Sequence, residues 1–228
     1  MKWPISPVAG AAVIVLYCVF TFSSWALFPI AYNPITNWLS DLGNSSYNPR
    51  GAILYNLGCI FTGIALFPFF IEFYKWYTKE TWRKISITIT QAVGCAAAFA
   101  LTMIGVFSED FGWLHSLWSE VFFLINLIVL VLAGASLYTH PRYIKGAGFY
   151  GFIVAAINLF FLFSSNTPIL EWFTVYTALG YVGLLAYNMT RLPMKPEQAN
   201  QNGKTTAATQ AKIRALKITP SPIEEVFL

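Results

Sequence analysis

Charged side chains are scarce in this sequence. Of its 228 residues only 11% are Asp, Glu, Lys or Arg, whereas 57% are hydrophobic and 18% are aromatic. A soluble domain usually carries about 25% charged residues, and the mean hydropathy here is +0.58. This composition excludes an ordinary soluble globular protein and indicates a chain whose main solvent is lipid.

The signatures of common catalytic and metal sites are also missing. The three cysteines, Cys18, Cys59 and Cys95, include no Cys-x-x-Cys pair, so we expect neither a disulfide framework nor a zinc site. The two histidines, His115 and His140, fall on opposite sides of the predicted membrane and cannot share a metal. Neither Gly-x-Ser-x-Gly nor His-Glu-x-x-His occurs. We therefore expect no metal and no cofactor.

Six apolar runs are long enough to span a bilayer, which takes about 20 residues of helix. They cover residues 8–31, 52–74, 85–107, 116–138, 147–165 and 172–191. We predict an all-α membrane protein in which residues 1–192 form a bundle of six transmembrane helices. Residues 193–228 are polar and rich in Gln, Asn, Thr, Lys and Pro, which predicts a cytoplasmic tail instead of a second folded domain.

Basic residues are distributed unevenly between the connections. Thirteen of the fourteen lysines and arginines lie before the first run, in the second or fourth connection, or after the last run, and Arg50 alone lies on the other side. The positive-inside rule places the basic connections in the cytoplasm. The other connections carry the acids Asp41, Glu109, Asp110 and Glu171. We expect both termini to be cytoplasmic in a multi-pass protein of the plasma membrane, and the net charge of +4 requires no nucleic-acid partner.

The segment 33–44 (NPITNWLSDLGN) lies in the first outer connection. Its apolar residues recur at helical spacing: Ile35, Trp38, Leu39 and Leu42. Asn33 is a suitable helix cap. The pattern predicts a short amphipathic helix over residues 34–42 that roofs an outward polar pocket, with Asp41 on its polar side.

Two residues of the second span are expected to border the same pocket. Arg50, at the start of that span, can pair with Asp41 or with a lipid phosphate, which arginine binds through two parallel hydrogen bonds. Asn56 lies six residues further along the chain and extends the polar lining inward. We predict that all three side chains contact a ligand.

The fourth span adds a polar stripe. His115 and Ser119 lie on one face of that helix. Glu120 is about 7.5 Å deeper than His115 at 1.5 Å per residue. An ionisable group at that depth is expected to face the bundle interior, a partner or water. We include these three residues in the predicted ligand site.

Several functions remain open for such a pocket. The favoured role is to bind or organise lipid head groups, or to act as a small accessory subunit, with membrane lipids and another membrane protein as partners. The alternative is an intramembrane enzyme acting on lipids, with Asp41, His115 and Glu120 as acid–base groups. A transporter has the least support, because nothing indicates paired broken helices. A hydrogen bond between Asp41 and His115 inside a cavity would favour the enzyme.

The segment 40–63 (SDLGNSSYNPRGAILYNLGCIFTG) carries a family pattern. A Ser-Asp-Leu-Gly element follows the first span, and the next span opens with Asn56-Leu57-Gly58. Later elements are Gly105-Val106-Phe107, Glu109-Asp110 and Leu114-His115. Over about residues 8–190 the chain resembles the uncharacterised membrane family called domain of unknown function 998 and, more weakly, the Frag1/DRAM/Sfk1 membrane proteins. The first resemblance implies a six-span bundle without supplying a reaction, and the second suggests involvement with lipids or lipid-anchored proteins.

Overall fold

The computed structural model describes residues 5–140, 143–163 and 167–190. It contains six long helices: α1 (Ile5–Ala26), α2 (Ala52–Ile71), α3 (Thr81–Val106), α4 (Trp113–Tyr138), α5 (Lys145–Phe163) and α6 (Pro168–Thr190). All six are long and apolar enough to cross a membrane, and the described residues contain no strand. The predicted six-span helical bundle is confirmed, and the chain is an integral multi-pass membrane protein. The predicted tail, residues 193–228, lies outside the described residues.

Two helix ends differ from the predicted runs. Helix α1 ends at Ala26, well before residue 31, because Pro29 has no N–H with which to continue a helix. Helix α6 begins at Pro168, earlier than the predicted residue 172, and proline suits a first helical position, where no partner for an N–H is required. This earlier start places Glu171 inside a helix instead of in a connection.

The six helices form a closed ring in chain order. Each helix packs against the next, and α6 packs back against α1, so that neighbouring helices are antiparallel all the way round. Small residues allow close approach of helices in a membrane. At one such contact, a side chain on Gly148 of α5 would collide with the backbone of Gly134 and Tyr138 in α4. The closed ring leaves an interior space between the helices.

The two ends of the ring differ in charge. One end, which we call the acidic end, carries Asp41, Glu109, Asp110 and Glu171. At the opposite end, Lys75 pairs with Glu72 at 2.5 Å and Arg83 pairs with Glu80 at 3.0 Å. The side of the membrane that the acidic end faces stays a prediction.

The predicted amphipathic helix over residues 34–42 does not form as a continuous helix. The chain makes a turn after Asn33, whose side-chain Oδ1 accepts the N–H of Ile35 at 2.9 Å. A 3-10 helix then covers Ser40–Gly43. The side chain of Asn33 thus caps a single turn, and the second half of the segment adopts the tighter helical form.

Burial explains why this segment is divided. Leu39 and Leu42 are 1% and 0% exposed, whereas Ile35 is 67% exposed. Asp41, expected on the polar side, is only 8% exposed. Only the second half of the segment packs over the ring, so the apolar stripe predicted from helical spacing has no continuous surface to cover.

Candidate functional site

A narrow cavity runs along the inside of the ring. Its volume is about 100 Å³, and its wall comes from α1, α2, α3, α4 and α6, together with the connection between α1 and α2. On α2 the wall extends from Tyr55 to Phe70, which corresponds to about 22 Å at 1.5 Å per residue. The cavity therefore covers roughly two thirds of the ~30 Å hydrocarbon thickness of a bilayer.

The wall of the cavity changes character along its length. Its deeper part is apolar and includes Val13, Leu66, Phe70, Val129 and Leu185. Polar side chains gather toward the acidic end: Ser40, His115, Ser119 and Glu171. Two further polar residues, Thr62 and Asn126, line it about midway. The space is thus amphipathic, with one polar end and a long apolar remainder.

Glu171 is the acidic side chain of the cavity wall. It lies in the first turn of α6 and is 9% exposed. Its Oε2 accepts the backbone N–H of Leu39 at 2.7 Å. Among the described residues no lysine or arginine forms an ion pair with it. The carboxyl group therefore fastens the α1–α2 connection across the end of the cavity and has no cationic partner in the described protein.

His115 lines the same end from the first turn of α4 and is 6% exposed. Its Nδ1 lies 2.8 Å from the carbonyl oxygen of Phe107. A carbonyl oxygen only accepts hydrogen bonds, so this contact requires the proton on Nδ1. Ser119, one turn deeper on the same helix, also lines the cavity. The polar stripe of α4 thus points into the ring.

The Ser-Asp-Leu-Gly element closes the acidic end of the cavity. The carbonyl of Leu42 accepts the Ser24 hydroxyl at 3.1 Å and the Asn48 side-chain amide at 3.0 Å. The side-chain amide of Asn56 donates to the carbonyl of Gly43 at 3.0 Å. These bonds join the element to α1 and α2 and supply partners for polar groups that would otherwise be buried without them.

Two carboxyl groups outside the spans have raised pKa values. Burial raises the pKa of Asp41, although the N–H of Trp38, which donates to Oδ2 at 2.9 Å, lowers it. Burial, together with the charges of Asp41 and Asp110 and against a lowering effect of Asn44, raises the pKa of Glu109 to about 7. Negative charge at the acidic end is therefore crowded and poorly compensated.

The predicted ligand-binding residues do not all meet in one place. His115 and Ser119 line the cavity, whereas Asp41, Arg50, Asn56 and Glu120 do not. Asn56 instead borders a separate surface cleft of about 360 Å³, together with Ser108 and Asp110. The cavity and this cleft are two distinct spaces.

For two charged residues, one of the environments expected from the sequence is not formed. Asp41 and Arg50 form no ion pair; Asp41 is held by the N–H of Trp38, and Arg50 is exposed. Glu120 does not face the bundle interior, one of the environments expected for it, but is exposed. Glu120 follows Ser119 directly, and a step of 100° around α4 turns it away from the cavity.

The proposed catalytic arrangement is not formed. Asp41 accepts from Trp38, and Nδ1 of His115 contacts Phe107, and no hydrogen bond joins Asp41 to His115 in the described part of the chain. Glu120 lies outside the cavity. In that same part, no group of three His, Cys, Asp or Glu side chains is placed to hold a metal ion. This geometry gives the enzyme alternative no support.

Glu171 is the site residue that sequence reasoning did not select. Its signal was Pro168, because a proline favours the first position of a helix and so places a glutamate three residues later within the first turn. The cavity-lining Tyr17 and Tyr55 were also not selected. A buried tyrosine in an apolar helix carries no pattern that separates packing from a cavity wall.

Comparison with known proteins gives one match. A family model described as "Protein of unknown function (DUF998)" matches residues 9–188, which include most of each of the six helices. No curated protein and no solved structure matches the chain. The weaker resemblance to the Frag1/DRAM/Sfk1 proteins is unconfirmed.

Proposed function

The chain belongs to the DUF998 family, and we propose that it is a lipid-binding protein of the plasma membrane. In this proposal the ring encloses one hydrocarbon chain of a lipid, and the head group lies at the acidic end beside Glu171 and His115. The head group thus occupies the cavity and not a pocket between Asp41 and Arg50. A protein that binds a lipid without catalysing a reaction suits an organising or accessory role.

One observation carries the proposal: the cavity is apolar along most of its length and polar at one end. An apolar cavity stays dry and takes up apolar molecules. Each methylene group that is buried contributes about 0.8 kcal/mol. Each methylene group of a chain that enters this space therefore adds to binding, while the head group reaches hydrogen-bonding partners at only one end.

The distribution of basic residues supports an orientation for this site. The positive-inside rule places the acidic end on the outer face of the membrane, because thirteen of the fourteen basic residues belong to the other side or to the termini. In this orientation the lipid head group lies at the level of the outer leaflet.

The test compares two neighbouring alanines of α3. Ala97 is 3% exposed and lines the cavity, whereas Ala96 is exposed on the outside of the ring. Ala97→Phe fills the cavity, and Ala96→Phe adds the same side chain outside it. Both variants are purified from membranes in mild detergent, and co-purifying lipid is identified and counted by native mass spectrometry.

We expect wild type and Ala96→Phe to retain a stoichiometric lipid. Ala97→Phe should reduce its occupancy by about tenfold or more, since the loss of two methylene contacts corresponds to that factor. Thermal unfolding of both variants shows whether each is folded. Equal lipid occupancy in the two folded variants would exclude the cavity as the binding site.

A further inference from the structure

Resting on the proposed function, we propose that the head group beside Glu171 is cationic, a primary ammonium group on a single-chain amphiphile. The shape of the wall favours a single-chain ligand, since the space is narrow, apolar along most of α2 and polar at one end. The choice among head groups follows from the charges and hydrogen-bonding atoms of the wall.

The wall is poorly suited to an anionic head group. None of the described residues that line the cavity is a lysine or an arginine, the side chains that recognise phosphate and carboxylate groups. The one cation of the described acidic-end connections, Arg50, is exposed and lies outside the wall. An anionic head group would also oppose the ionisation of Glu171, because like charges repel strongly where the dielectric constant is low.

Glu171 has unused capacity to accept hydrogen bonds. An ionised carboxylate offers about four lone-pair sites, of which the backbone N–H groups of Leu39 and Ser40 occupy only a part. A buried carboxyl group ionises at low cost only when it is paired, and no described basic residue pairs with Glu171. An ammonium group supplies a positive charge and three donors, so it meets both requirements at once.

The hydroxyl group of Thr62 is a buried polar group of the wall without a partner. Thr62 is 2% exposed and lines the cavity, and its Oγ1 forms no hydrogen bond within the described protein. It lies seven residues from Tyr55 along α2, or about 10 Å deeper. A buried hydroxyl that the protein leaves unpaired indicates an occupant of the cavity that the chain does not itself provide.

The experiment uses three photoreactive sixteen-carbon amphiphiles that differ only in their head groups: an amine, an alcohol and a carboxylic acid. Each carries a diazirine in the chain and is added to the full-length protein in phosphatidylcholine nanodiscs at pH 7. Peptide mapping locates the cross-links, and unlabelled hexadecylamine, hexadecanol and palmitate compete. We expect cross-links to cavity residues, and competition by hexadecylamine at concentrations at least about tenfold below those of the other two.

The variant Glu171→Gln removes the charge and keeps an oxygen that can accept the Leu39 N–H. It should reduce the preference for the amine over the alcohol by about tenfold. Glu120→Gln is the matched control, because it removes a glutamate that is exposed and outside the cavity. The ranking of the three head groups in wild type needs no variant and stands even if Glu171→Gln does not fold.

The outcomes separate this inference from the proposed function. If palmitate or hexadecanol competes as well as hexadecylamine while cross-links still map to the cavity, the cationic head group is wrong and lipid binding stands. If none of the three amphiphiles labels the cavity, both are wrong. An unchanged amine preference in a folded Glu171→Gln variant would remove Glu171 from recognition and overturn the inference.

Discussion

The Oε2 atom of Glu171 accepts a hydrogen bond of 2.7 Å from the backbone N–H of Leu39, a residue 132 positions earlier in the chain. This bond connects the first turn of α6 to the segment that closes the cavity, and it is buried. A single carboxyl group therefore serves both the closure of the ring and the polar end of the proposed lipid site.

Removal of this carboxyl group should destabilise the protein. We expect Glu171→Ala to lower the free energy of unfolding by about 1.5–3 kcal/mol, the range for hydrogen bonds to charged groups. Glu171→Gln should lower the free energy of unfolding by less, because its amide oxygen still accepts the Leu39 N–H. Thermal unfolding in detergent measures both, with the exposed Glu120→Ala as control. Equal losses in the alanine and glutamine variants would show that this bond contributes little.

Asn48 provides a second test of the closing segment. It is fully buried, and its side-chain amide nitrogen donates to Oγ and the carbonyl of Ser24 at 2.9 and 3.2 Å and to the carbonyl of Leu42 at 3.0 Å. Asn48→Asp replaces this donor by an acceptor facing three other acceptors. We expect a loss of about 3–5 kcal/mol, the cost of a buried charge without a partner.

Asn33→Asp is the matched control for that substitution. Asn33 is exposed, and its Oδ1 only accepts a hydrogen bond, from the N–H of Ile35. A carboxylate accepts equally well, so this variant should unfold within about 0.5 kcal/mol of wild type. Urea or thermal unfolding of both variants in the same detergent compares them. An Asn48→Asp variant as stable as wild type, or a clearly destabilised Asn33→Asp variant, would contradict the assigned donor and acceptor roles.

The fold was predictable from the sequence because its main signal is local. An apolar run of about 20 residues must be a helix in lipid, where every backbone polar group needs an internal partner. The segment 34–42 was not predictable by the same reasoning. Its helical spacing is real, but the continuous helix required a surface on which to pack, and Ile35 has none because it is exposed.

The site was only partly predictable for a related reason. His115 and Ser119 lie on one helical face, and periodicity alone placed them together. The contact between Glu171 and Leu39 depends on how the ring closes, which no local pattern encodes. The expected pair of Asp41 and Arg50 was based on closeness in the sequence. In the structure Asp41 is buried and accepts the N–H of Trp38 instead of pairing with Arg50.

The orientation of the ring can be tested by cysteine labelling. Ser45 is exposed at the acidic end, and Lys79 is exposed at the opposite end. The positive-inside rule predicts that a membrane-impermeant maleimide added to intact cells labels Ser45→Cys and not Lys79→Cys. The native cysteines Cys18, Cys59 and Cys95 lie within spans. Labelling of the wild-type protein measures the background signal from these three cysteines. Labelling of Lys79→Cys alone would reverse the predicted orientation.

Glu109 should make stability depend on pH. Its pKa is about 7 in the folded protein, against an ordinary value of 4.5. Between these values the folded protein retains a proton that the unfolded chain has released, so stability falls as the pH rises from about 4.5 to 7. Below this window both states are protonated, and the stabilisation is fully present. The pKa of Asp41 is also raised by burial, so its contribution has the same sign.

The substitution Glu109→Gln isolates this contribution. After allowance for solvent screening of a partly exposed group, it should reduce the change in folding free energy with pH by about 1 kcal/mol. The unfolding temperature of the variant at pH 8 should therefore be about 2–4 °C above that of wild type. At pH 5 the variant and wild type should unfold at nearly the same temperature. Glu120→Gln removes one exposed acid elsewhere and serves as control. If Glu109→Gln stabilises the protein equally at pH 5 and pH 8, its effect does not arise from a displaced proton equilibrium, and the assignment of a raised pKa to Glu109 is wrong.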